Sequence, residues 1–125
     1  MVIKIFKSKY KVYKTLNKQL AERDYSSVYG ATYYYDKKDF KRHIFINVDY
    51  IKKEFPHTKD VELKKTIFEE LIHTIVYEHR LTETLYDYNT SEQNESAVNS
   101  IACELADNYD KVLKYILDKE KGNEK

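Results

Sequence analysis

The sequence predicts an α+β domain in which a small, mostly antiparallel sheet from the first fifty residues packs against two long helices. Runs at 2–6, 10–14, 28–35 and 43–48 are rich in β-branched and aromatic residues, as strands are. From 58 to 80 the chain has no Gly or Pro, and apolar pairs at 67/68, 71/72 and 75/76 recur with the helical period. Val98, Ile101, Ala102, Leu105, Tyr109, Val112, Leu113 and Ile116 form a second helical stripe. With 125 residues and 42% hydrophobic content, one core and one domain over 1–117 are expected, followed by a disordered charged tail at 118–125.

The elements follow in order. The first two runs read as strands joined by a turn at Lys7, Ser8 and Lys9, while 17–24 fits either a short helix or a loop. The runs at 28–35 and 43–48 form a hairpin across a polar connection at 36–39, and Gly30 inside the first of them marks a bulge or a close backbone approach. Residues 49–55 allow one or two helical turns, closed by Pro56. Thr58 or Asp60 caps the next helix, which runs through Tyr77 and on to about Arg80. After an irregular stretch at 81–89, Thr90, Ser91, Glu92 and Gln93 have capping-box spacing for the last helix. Its stripe, extended back one turn from Val98, lands on Glu95, where a buried carboxylate calls for a partner or a metal.

The net charge of +1 conceals an asymmetry. Residues 1–60 carry 14 Lys and Arg against 7 Asp and Glu, a net +7, whereas 61–110 carry 3 against 11, a net −8. Mutual attraction of the two halves on folding is the simpler account. Lysines 4, 7, 9, 11, 14 and 18, with Tyr10 and Tyr13 between them, would also suit phosphate contacts and base stacking by a nucleic acid. No run of about 18 apolar residues occurs, and 1–6 is too short for a signal peptide, so a cytoplasmic protein with no membrane partner is expected. The single cysteine, Cys103, fits a reducing compartment and reads as a buried, inert thiol.

The chemistry concentrates on the first long helix. Glu69 and His73 are four apart and rise from neighbouring turns on one side, with Glu70 beside them. An i, i+4 pair of this kind also stabilises a helix by a few tenths of a kcal/mol with no metal present. His79 stands about 240° round the helix from His73, so the two cannot share an ion; it reads as a solvated residue at the helix end. His43 and His57 read as structural or surface residues.

Four segments in order resemble a known family: Gly30-Ala31-Thr32-Tyr33, Ile44-Phe45-Ile46-Asn47, residues 66–75 with Glu69-Glu70-Leu71-Ile72-His73, and residues 95–102 beginning at Glu95. Together they resemble small zincin metallopeptidases of phages and mobile elements, distantly of the ImmA/IrrE type. The resemblance implies a minimal zincin-like domain with Glu69, His73 and Glu95 as metal ligands and Glu70 as general base. Here Glu-Glu-x-x-His replaces the family's His-Glu-x-x-His. Such a site holds a zinc ion, which acidifies a bound water for attack on a peptide carbonyl. Two carboxylates among the ligands weaken the ion as a Lewis acid and lessen zinc's advantage over manganese. Two expectations follow: a metallopeptidase with weak or no proteolysis, or a protein on a degenerate zincin scaffold, without bound metal, that binds and modulates a host or defence protein. In both the partner is a protein or peptide.

Overall fold

The structure, a computed structural model, describes the backbone of residues 1–34, 41–82 and 91–118, and the side chains of 1–34, 41–80 and 95–118. The element order is β1 (Val2–Ile5), β2 (Ser8–Tyr13), α1 (Lys18–Glu22), a 3₁₀ turn (Tyr25–Ser27), β3 (Gly30–Tyr33), β4 (His43–Ile46), α2 (Val48–Glu54), α3 (Lys59–Thr82) and α4 (Ser91–Leu117). The four strands form one sheet in the order β1-β2-β4-β3. The outer pairs are antiparallel and the central β2-β4 pair is parallel, so the expected α+β class holds with a mixed sheet. The polar connection at 36–39, the irregular stretch from 83, the capping box and the tail from 119 lie outside the described residues or side chains.

One face of the sheet builds the core. Ile3, Ile5, Tyr10, Val12, Ile44 and Ile46 point from the strands onto Leu63, Ile67, Leu71 and Ile75 of α3, all of them buried. The period-2 alternation of β1 and β2 meets the 3.6-residue stripe of α3 there. α4 adds Val112 and Ile116. On the opposite face Tyr25 of the 3₁₀ turn stacks on Phe45 of β4 at 5.9 Å and lies 5.8 Å from His43, Arg23 after α1 lies over the Tyr33 ring of β3, and Leu20 of α1 is buried. His43 is buried among tyrosines, which pushes its pKa below the ordinary histidine value through desolvation. Asn47 joins these pieces. Its carboxamide oxygen caps α2 at the Tyr50 N–H, its Nδ2 donates to the Tyr25 and Ser26 carbonyls, and its N–H donates to the Tyr29 carbonyl at 2.8 Å.

Several expectations are corrected. The first turn is Phe6 and Lys7, with β2 beginning at Ser8; Phe6 takes a left-handed φ of 53°. Its ring packs 5.8 Å from His79 and its N–H donates to Glu104 at 2.8 Å, contacts that fix this conformation in place of a Gly. His79 is accordingly buried, not solvated. Cys103 is exposed, not buried. The α4 stripe holds at Ile101, Leu105, Tyr109, Val112, Leu113 and Ile116, which lie in or against the core, but Ala97 and Asn108 are also buried, Val98 and Ala102 face outward, and Glu95 is exposed. Asn108 is 2% exposed because its Nδ2 donates to the Lys4 and Glu104 carbonyls, a polar residue on the core side of the helix that hydrophobicity does not mark.

Candidate functional site at the junction of α3 and β3

The pairing of β3 with β4 determines which groups its outer edge offers. Tyr29 and Asn47 are directly opposite and joined by a hydrogen bond, so the pairs 31/45 and 33/43 are also hydrogen-bonded. The N–H and C=O groups of Gly30 and Thr32 therefore point away from β4, to the outer side of the sheet, where no described strand pairs with them. The other edge is occupied. Asn108 of α4 bonds the Lys4 carbonyl, and Glu104 receives the N–H that follows β1.

Beneath Gly30 and Thr32 lies Glu70. Thr32 Oγ1 donates to Glu70 Oε1 at 2.5 Å. A Cβ added to Gly30 would stand 2.8 Å from Thr66 Cγ2 and 2.9 Å from Glu70 Cγ. Of the two meanings offered for this glycine, close approach is the right one: strand and helix touch where any side chain would separate them. Burial raises the Glu70 pKa above the ordinary carboxylate value; the Thr32 hydroxyl and His73 oppose the shift, and Glu69 adds to it. Thr74 Oγ1 donates to the Glu70 carbonyl one turn on, at 2.7 Å.

Beside the carboxyl is a cleft of about 330 Å³ lined by Tyr34, Ile72, His73, Val76, Tyr77 and Arg80. Tyr34 stacks on Tyr77 with ring centroids 4.3 Å apart. Burial, then Glu70 and Tyr77, raise the Tyr34 pKa, which places this phenol within electrostatic reach of the carboxyl. Glu69 and His73 are both exposed on α3 next to Glu70. Glu95 lies elsewhere, in a groove of about 590 Å³ with Val98, Asn99 and Ala102. Three of the four expected site residues thus share one neighbourhood and the fourth lines a different groove. Among the described residues, no three His, Cys, Asp or Glu side chains are grouped so that they could hold a metal ion.

Sequence reasoning passed over Thr32, Tyr34, Tyr77 and Arg80. Thr32 stands in the quoted Gly30–Tyr33 segment, but its role depends on a long-range contact that no local pattern encodes. Tyr77 and Arg80 follow His73 by four and seven residues, the helical spacing that defines one face.

No family model matches the chain, and neither the curated proteins nor the solved structures give a match. Among the described residues, no helix is long and apolar enough to cross a membrane.

Proposed function

We propose that this chain is a zincin-related protein of phage or mobile-element type that acts by binding an extended segment of a protein partner, with little or no hydrolysis. The observation that supports this most is the outer edge of β3, which no described strand covers: the backbone groups of Gly30 and Thr32 point outward beside Glu70. A partner strand would pair with those groups, and its side chains would reach Glu70, His73 and the tyrosine cleft. Two further observations favour binding over catalysis. The Glu70 carboxyl already accepts the Thr32 hydroxyl, and Glu95 lies in a groove apart from His73.

A second reading is a metallopeptidase in which Glu70 is the general base and Glu69, His73 and Glu95, which this structure does not bring together, would have to close on zinc or manganese. It is favoured by the upward shift of the Glu70 pKa, since a base works best with a pKa nearer neutrality. On that reading the ion supplies a Lewis acid and a more acidic water.

Metal content and proteolysis separate the two. Protein purified without chelator is expected to hold well under one zinc or manganese ion per chain and to leave denatured casein intact. One ion per chain, together with casein cleavage that Glu70→Gln abolishes, would contradict the binding reading and establish the enzyme.

A further inference from the structure

The face of β1 and β2 that turns away from the core is open. Val2, Lys4, Lys9 and Lys11 are exposed on it, while on the neighbouring strands Tyr25 lies over Phe45 of β4 and Arg23 over Tyr33 of β3. The register brings the lysines together. Val12 N–H donates to the Met1 carbonyl, so the 1/12 pair is hydrogen-bonded and Lys4 and Lys9 form a non-hydrogen-bonded pair, the closer of the two kinds. Lys11 follows on the same face, opposite Val2. Like charges directly across a ladder destabilise it. Among the described residues, none of the three lysines has a carboxylate within salt-bridge distance.

At the inner border of this face stands Tyr13, half-buried, with the Lys11 Nζ 5.3 Å from its ring centre and His43 against its edge at 5.9 Å. Other residues of the basic N-terminal stretch have different tasks. Tyr10 is buried, and Lys14 Nζ donates to the Tyr115 and Asp118 carbonyls at the end of α4. What is left is three cations held in register, with no described carboxylate at salt-bridge distance, bordered by an aromatic ring. Of the acidic residues at 61–110, Glu78 and Glu104 reach this hairpin, where they accept from Ser8, Tyr10 and the Phe6 N–H and not from the three lysines.

We propose that the open face of the β1-β2 hairpin binds single-stranded nucleic acid, with Lys4, Lys9 and Lys11 on phosphates and Tyr13 against a base. Charge complementarity selects a polyanion, and the ring selects one that carries flat bases. The surface is distinct from the β3 edge, so either assignment can fail without the other.

The test is fluorescence anisotropy of a labelled oligothymidine against the full chain. Three phosphate contacts on a single strand give a log–log salt slope of about −2, so binding is expected to weaken roughly fifteenfold between 50 and 200 mM KCl. The K4E/K9E/K11E variant is expected to lose at least tenfold in affinity at 50 mM, and Tyr13→Leu at least fivefold. Lys9→Glu alone should bind more weakly yet melt higher, because it turns the Lys4/Lys9 repulsion into attraction. If the triple variant does not fold, Lys9→Gln should reduce the slope by about 0.7. Absent or salt-independent binding, or unchanged affinity in these variants, overturns the proposal. So does preference for phosphatidylserine vesicles or polyglutamate over the oligonucleotide.

Discussion

Replacing Glu78 with alanine is expected to destabilise the chain by about 3–5 kcal/mol, the range for removing one partner of a buried ion pair. Glu78 is 3% exposed and collects donors from two separate parts of the sheet. Ser8 Oγ donates at 2.7 Å, the Tyr10 hydroxyl donates to the other carboxylate oxygen, and Arg42 Nε lies 3.4 Å away. Burial and the Glu78 carboxylate both push the Tyr10 phenol well above its ordinary pKa, so it is a committed donor. Alanine would leave these donors facing apolar surroundings, and most domains have only about 5–15 kcal/mol in total. Urea unfolding measures the loss. The Y10F/E78L double variant, which removes donor and acceptor together, should lose less than E78A alone. Equal losses would mean that the network does not act as a unit.

This network bears on the candidate site because of where it sits. Glu78 is two turns along α3 from Glu70 and fixes the helix against β2 and the entry to β4. That register decides which residue of β3 faces Glu70. The second large effect is therefore expected at Gly30, where alanine should cost about 1–3 kcal/mol through overpacking. Gly30 has no positive φ, so the cost comes from crowding and not from backbone conformation. The added Cβ would meet Thr66 Cγ2 at 2.8 Å, a methyl on a buried, β-branched side chain with little room to move. Thr66→Ser removes that methyl, so G30A/T66S is expected to recover part of the loss in a double-mutant cycle. A cycle with no coupling would show that the contact is not what makes glycine necessary.

The long helix was legible because its apolar pairs recur with one period and no Gly or Pro interrupts them. The neighbourhood of Glu69, Glu70 and His73 followed from the same spacing. α4 was placed correctly and its stripe holds from Ile101 to Ile116, failing only at Val98 and Ala102. Near its start the core side carries Ala97 while Val98 and Ala102 face outward, so extending the stripe back by hydrophobicity leads to an exposed Glu95, and the buried Asn108, held by the Lys4 carbonyl, is a core position that hydrophobicity does not mark. His79 and the Phe6 turn were misread together, since each is explained by contact with the other across the fold. Thr32 and Glu78 were missed for a similar reason: what matters about them is a partner 38 or about 70 residues away. Local pattern gives elements and faces; polar long-range pairing appears only once the register is known.

Binding of a protein partner at the outer edge of β3, above Glu70, is the proposal most open to direct test. Peptides selected on this protein from a random library provide the probe, and amide resonances of the labelled chain provide the readout. Bound peptide is expected to shift the Gly30 and Thr32 amides and slow their hydrogen exchange, and N-methylation of alternate peptide bonds in the ligand should abolish binding. Shifts confined to α4 or to the β1-β2 hairpin, with Gly30 and Thr32 unmoved, would contradict the account.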